Sequence, residues 1–226
     1  MTLTASESVQ GLVLAGGRSR RFIHGAKALE PLGNQPMIAH VLRRLLPQVE
    51  GAWISSGAGT LDLASLPEDL RELACLLDPE PRFRGPLAGL AAGLDALADR
   101  HQSESSAMAW LQLAPCDAPF LPRDLVARLL SEARQEDSGE VRVIVPRAEG
   151  HLQPTFAVWH VSTREAVQSA LSKRGGAGLL DVLRQLPHQV VDWPATNPPA
   201  FFNVNTRADL DQAADWLQSA TTTPSR

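Results

Sequence analysis

Residues Val9–Phe22 read VQGLVLAGGRSRRF. The first six, Val9–Leu14, form an apolar run of strand length. Two adjacent glycines, Gly16 and Gly17, then lead into Arg18, Arg20 and Arg21. Glycines let backbone approach a ligand closely, and consecutive N–H groups can form an anion-binding nest. Arginine forks match phosphate oxygens, and Lys27, a few residues on, adds a mobile point charge. A buried strand that ends this way belongs in an open α/β sheet, where ligands sit beyond the carboxyl ends of the strands.

The rest of the chain supports that fold class. Strand-like runs at Gly51–Ser56, Arg71–Leu77, Ala107–Ala114 and Val141–Val145 alternate with helix-like runs. One helix follows Pro36 (Met37, Ile38, Val41, Leu42, Leu45 and Leu46), a second starts at Pro86 (Leu87, Leu90, Leu94 and Leu97), and a third spans Pro122–Arg134. Such alternation predicts an α/β domain with a mostly parallel sheet. Ala107–Ala114 is nearly all apolar, as a central strand covered on both faces should be. Pro154–His160 alternates as a further strand. Ser162–Glu165 has the spacing of a capping box for a helix to Ser172, which Lys173–Gly176 stops. Thr206 is a cap for the last helix, with Leu210, Ala213, Ala214 and Leu217 inward. With no internal repeat and no linker, the expectation is one domain over residues 8–218, flanked by flexible termini at 1–7 and 219–226.

The chain has 226 residues and a formal net charge of −4. The mild acidity argues against a dedicated nucleic-acid binder. No apolar run reaches the ~18 residues of a membrane helix, and the N-terminal MTLTASESVQ lacks the basic start of a secretory signal. Two cysteines, Cys75 and Cys116, do not make a disulfide framework. The expectation is a cytoplasmic protein with two reduced thiols.

Four segments carry candidate chemistry. The first is the glycine–arginine loop, which matches neither a Walker P-loop nor the dinucleotide G-x-G-x-x-G pattern. The second is Ala114–Pro119, APCDAP, in which Asp117 follows the central strand between two prolines. Mg²⁺ is commonly held by one or two carboxylates plus substrate phosphates, a role that suits Asp117; a turn aspartate bonded to its own backbone is the plainer alternative. Cys116 beside it reads as a buried structural thiol. The third is Gly85–Gly93, GPLAGLAAG, whose leucines and small residues fit tight helix–sheet packing. The fourth is Phe201–Thr206, FFNVNT, in which Asn203 and Asn205 share one side of an extended segment. The six histidines show no metal spacing, and no G-x-S-x-G elbow is present.

LAGGRSRRF with Lys27, then GPLAGL, then PCDAPFLP, then FFNVNT, in this order, resembles the molybdenum cofactor guanylyltransferases, over roughly Gly11 to Leu217. The resemblance implies a single Rossmann-like, three-layer α/β/α nucleotidyltransferase domain of the glycosyltransferase-A type. It implies that GTP and molybdenum-molybdopterin react to give the guanine dinucleotide cofactor and pyrophosphate, with Mg²⁺ as cofactor and a molybdoenzyme or delivery protein as receiver. Carried over by position, Leu14, Ala15, Gly16 and Gly17 contact GTP through backbone. Arg21 and Lys27 serve the phosphates, Ser55 and Asp78 the nucleoside, and Asp117 both nucleotide and metal. Asn203 and Asn205 lie on the molybdopterin side.

Two positions depart from the family pattern: Ala26 stands where an aspartate usually precedes the lysine, and Ser55 stands where an asparagine is expected. They motivate one rival reading, a non-catalytic GTP-binding cofactor-delivery protein. A cytidylyltransferase acting on the same pterin is another. Its relatives carry LAAG where this chain has LAGG, and the missing methyl leaves room for the larger purine. A sugar-phosphate nucleotidyltransferase shares the glycine-rich opening and is the third.

Overall fold

A computed structural model describes residues 8–16, 27–57, 61–78, 85–101, 109–133, 141–172 and 177–222. Gly17, Arg21 and Ala26 lie outside the described residues, as do residues 1–7 and 223–226 of the expected flexible ends.

The strands are β1 (Ser8–Leu14), β2 (Pro31–Leu32), β3 (Gln35–Pro36), β4 (Gly51–Gly57), β5 (Cys75–Leu77), β6 (Ala109–Pro115), β7 (Val143–Ala148), β8 (His151–Leu152), β9 (Val158–His160) and β10 (His188–Asp192). The helices are α1 (Met37–Leu45), α2 (Pro86–His101), α3 (Leu125–Ala133), α4 (Arg164–Ser172), α5 (Leu179–Leu183) and α6 (Arg207–Thr222). β2 and β3 form a small antiparallel pair; the others build one eight-stranded sheet in the order β10-β7-β9-β6-β1-β4-β5, with β8 added to β7. β6, β1, β4 and β5 run parallel, whereas β9 lies antiparallel between β6 and β7.

β1 shows why the sheet is covered on both faces. Val9 and Val13 pack with Ile38, Val41, Leu42 and Leu45 of α1 and with Leu125 and Leu129 of α3. Leu12 and Leu14 pack on the other face with Leu87, Leu90 and Leu94 of α2. All seven residues of β1 and of β6 are buried, as the continuous apolar reading requires. The result is a three-layer α/β/α sandwich with a mixed, mostly parallel sheet. Leu32, Met37, Phe120, Val204, Leu210 and Ala213 make a third, smaller core under α6. Among the described residues no helix is long and apolar enough to cross a membrane.

Several elements differ from the sequence reading. The strand expected over Arg71–Leu77 is confined to Cys75–Leu77, after a 3-10 turn at Glu68–Leu70. The strand expected over Pro154–His160 begins only at Val158, because Pro154–Phe156 forms a 3-10 turn. The side-chain amide of Gln112, fully buried in β6, donates to the Phe156 carbonyl at 2.8 Å and holds that turn against the sheet. α3 starts at Leu125 rather than Pro122. The Ser162 hydroxyl pairs with the His160 ring at 2.8 Å, and a 3-10 turn over Val161–Thr163 precedes α4, which starts at Arg164. α6 continues to Thr222, into the tail expected to be flexible.

Candidate active site

The parallel strands β6, β1, β4 and β5 end along one edge, and β1, β5 and β6 each hand the chain to a candidate segment. Leu14 ends β1, but the next amide, Ala15 N–H, still donates to the Ser55 carbonyl of β4 at 2.8 Å. Gly16 then passes directly over Gly57: a Cβ built on Gly16 would lie 2.9 Å from both the Gly57 Cα and its nitrogen. Gly57 has φ of +71°, a conformation side chains resist. The Asp78 N–H donates to the Gly57 carbonyl at 3.1 Å, which sets the start of the loop after β5 against the same glycine. Burial raises the Asp78 carboxyl above the usual carboxylate range. The corner therefore offers exposed backbone at Gly16 with a half-buried carboxylate beside it, a surface suited to a nucleoside.

Ser55 sits differently from its neighbours. Its side chain is 2% exposed, and a Cβ built on Gly89 of α2 would fall 2.6 Å from its hydroxyl. Ser55 thus packs against the start of α2, and its contribution to the loop is the backbone carbonyl that holds Ala15. Among the described residues the buried Ser56 hydroxyl has no hydrogen-bond partner.

The second cluster forms around Asp117. The Cys116 N–H donates to the Leu14 carbonyl at 3.1 Å, so the Pro115–Pro119 turn is anchored to the end of β1. The Asp117 carbonyl accepts from Val204 N–H at 2.9 Å, which draws in the asparagine segment. The Lys27 ammonium donates to Oδ2 of Asp117 and, at 2.8 Å, to Oδ1 of Asn205. Both charged side chains are less than a fifth exposed. Among the described residues, Oδ1 of Asp117 has no hydrogen-bond partner.

Asp209 fixes the far side. It accepts from the Asn205 and Thr206 N–H groups at 2.8 Å each, while its own N–H donates to the Thr206 hydroxyl at 3.2 Å, a reciprocal cap on α6. Burial raises the Asp209 carboxyl, but those two N–H groups, the Thr206 hydroxyl and the Lys27 charge outweigh it and hold the group below its ordinary range. Cys116 is pushed up to about 12, first by burial and then by the Asp117 charge, so its thiol stays protonated and is no nucleophile.

The structure thus gathers the predicted residues into two groups. Leu14, Ala15, Gly16 and Asp78 meet at the β1–β4–β5 corner; Lys27, Asp117 and Asn205 meet beyond β6. Asn203 is turned aside: its amide donates to the Phe201 carbonyl at 3.3 Å. Gly57 and Asp209 were missed in the sequence, although a glycine closing a strand and the spacing Thr206-x-x-Asp209 were both visible signals. Among the described residues no three His, Cys, Asp or Glu side chains converge to hold a metal ion. A single carboxylate with an open oxygen, as at Asp117, fits a Mg²⁺ ion that takes its remaining ligands from water and substrate phosphates.

Known proteins resemble this chain over nearly its whole length. A molybdenum cofactor guanylyltransferase of Bradyrhizobium sp. (strain ORS 278) is 34% identical over 213 residues, covering 94% of this chain and 95% of that protein. One from Cupriavidus taiwanensis is 35% identical over 211 residues, covering 92% and 97%. Among solved structures, molybdopterin-guanine dinucleotide biosynthesis protein A from Archaeoglobus fulgidus superposes with a TM-score of 0.71 at 21% identity, covering 93% of this chain and 99% of that one. The family model for the MobA-like NTP transferase domain matches residues 11–190, from the middle of β1 into β10. With four-fifths of its length matched by one family and curated relatives at this level of identity, the chain belongs to the MobA-like NTP transferases.

Proposed function

We propose that this chain transfers GMP from GTP to molybdenum-molybdopterin, forming the guanine dinucleotide cofactor and releasing pyrophosphate, within one nucleotidyltransferase domain over residues 8–218. The observation that carries the reading is the Lys27–Asp117–Asn205 cluster, tied by backbone to the end of β1 a short way from the Gly16–Gly57 corner. An amine and a carboxylate at one strand end, with bare glycine backbone at the next, suit a triphosphate whose base lies over the glycines.

In this reading the terminal phosphate oxygen of molybdopterin attacks the α-phosphorus of GTP. A new P–O bond forms, the bond to the β-phosphate bridging oxygen breaks, and pyrophosphate leaves with that electron pair. The phosphate nucleophile is already ionised at neutral pH, so no general base is required, and the protonated Cys116 is consistent with that. The barrier is mutual repulsion of two anions, and catalysis rests on positioning and charge neutralisation. Leu14, Ala15, Gly16 and Gly17 hold the nucleotide by backbone, and Asp78 contacts the nucleoside. Lys27, with Arg21, neutralises phosphate oxygens. Asp117 holds Mg²⁺, which when bound supplies positive charge at the phosphates. Asn205 keeps Lys27 in place.

The test is pyrophosphate release from GTP in the presence of Mg²⁺ and molybdenum-molybdopterin. Asp117→Ala should cost at least ~10²-fold in rate, the scale of losing one preorganised electrostatic group. Near-normal turnover in that variant would overturn the assignment of Asp117. Preferred use of CTP, or GTP binding with no pyrophosphate released, would overturn the reaction itself.

A further inference from the structure

A cavity lies on the α1–α3 face of the sheet, and it shares no residue with the Gly16–Gly57–Asp78 corner or the Lys27 cluster. It has a volume of about 310 Å³, and Arg44, Phe120, Arg128, Trp193, Pro194 and Pro198 form much of its wall. Such a volume stands at the lower end of ordinary ligand pockets.

Its two arginines are placed unusually. Arg44, in the last turn of α1, donates to the Leu121 carbonyl at 3.2 Å and lies over the Phe120 ring, 6.0 Å from its centre. Arg128, on α3, donates to the Asp192 carbonyl at 2.9 Å and stacks 4.5 Å over the Trp193 ring. The carboxylate of Asp192, whose carbonyl holds Arg128, takes Arg147 bidentately at 2.6 and 2.7 Å. Among the described residues neither Arg44 nor Arg128 has a carboxylate within ion-pair distance. Burial, and secondarily the charge of Arg123, holds the Arg44 guanidinium below its ordinary range, the mark of a cation drawn out of water without a counter-ion. Asp124 is the one acid in the wall, and it is exposed. A guanidinium has five N–H donors, and the carbonyl bonds use one on each arginine.

Two arginines held by carbonyls and ring faces, over walls of aromatic and proline carbon, match an oxyanion borne on a flat apolar body. We propose that this cavity is a second ligand site, separate from the transfer site, that binds an aromatic carboxylate between Arg44 and Arg128. The planar carboxylate meets the guanidinium forks, and the ring replaces water against Phe120, Trp193 and the prolines.

The experiment titrates the full chain with benzoate and follows the indole N–H of Trp193 and the Nε–H signals of Arg44 and Arg128 by NMR. Phenyl phosphate, acetate and inorganic phosphate serve as comparison probes. Saturable shifts confined to this cavity are expected, with benzoate binding about tenfold more tightly than acetate, since only benzoate buries an apolar ring. Arg44→Gln and Arg128→Gln should each weaken benzoate about tenfold, as loss of a charge-assisted hydrogen bond does. Asp117→Asn should leave benzoate binding unaltered, so failure of the transfer reading and failure of this one are distinguishable. The wild-type shift map needs no variant and stands even if an arginine substitution unfolds the protein. Absence of saturable shifts, shifts that survive both arginine substitutions, or equal binding of acetate would overturn the proposal. Tighter binding of phenyl phosphate than benzoate would overturn the carboxylate assignment.

Discussion

Asp78 pairs no cation among the described residues, and burial raises its carboxyl. A carboxyl whose folded pKa lies above its unfolded value stabilises the fold below the unfolded value, ~3.9, and loses that contribution as pH rises through the folded value. At neutral pH the ionised Asp78 therefore strains the fold. Asp78→Asn keeps the shape and removes the charge, so the variant should unfold at higher urea than the parent at pH 7. The gap should close as pH falls below the ordinary aspartate range. The same variant should bind GTP more weakly, the pattern of a residue held for ligand rather than for stability. Urea midpoints at both pH values with one GTP titration check this, and a variant less stable at pH 7 would contradict the unpaired-charge reading. In the sequence Asp78 only opens the loop after the expected third strand. The resemblance singled it out, while its closeness to Gly57 depends on a strand pairing that no local pattern announces.

Helix α2 was read for tight packing, and its glycines show how tight. A Cβ on Gly89 would lie 2.6 Å from the Ser55 hydroxyl and 2.8 Å from Leu14 Cδ2; one on Gly93 would lie 2.6 and 2.7 Å from Leu12 and Leu111 methyl carbons. Alanine at Gly89 gains up to ~1 kcal/mol of helix propensity, whereas overpacking costs ~1–3 kcal/mol. Gly89→Ala should therefore destabilise by about 1 kcal/mol despite the better helix former, and Gly89→Ala with Ser55→Gly should recover part of the loss. Chemical denaturation of the two singles and the double measures this coupling, and additive singles would show that α2 shifts freely on the sheet. Helices and central strands were legible because their burial is periodic or continuous. The short elements were not. Pro154–Phe156 mimics strand alternation, but Gln112 and the 3-10 geometry decide it. Ser162-x-x-Glu165 has capping-box spacing, yet the His160 ring takes the hydroxyl.

Across the whole molecule, the Lys27 and Asn205 side chains that meet at 2.8 Å are 178 residues apart, and Lys27 and Asp117 are 90 apart. The sequence supplied each of these residues on its own motif, and the parallel pairing of β1 with β6 is what brings Lys27 and Asp117 to one edge. Sequence reading sent Asn205 with Asn203 to the pterin side; only the folded backbone, through Val204 and Asp117, sends its side chain to the lysine. A site assembled from such distant segments couples occupancy to global stability. A ligand that bridges the β1 loop and the Asp117 turn binds the folded chain alone, and at a hundred times its Kd it adds ~2.7 kcal/mol. For a chain of this size that is a rise in Tm of about 5–10 °C. GTP with Mg²⁺ should produce this shift. CTP at the same concentration should produce less, as the proposed guanylyl transfer requires. Asp117→Ala should lose the Mg²⁺-dependent part of the GTP shift while keeping its own ligand-free transition cooperative. Thermal scans with both nucleotides, with and without Mg²⁺, make the comparison. An equal or larger shift with CTP would reverse the choice of base without touching the fold or the family.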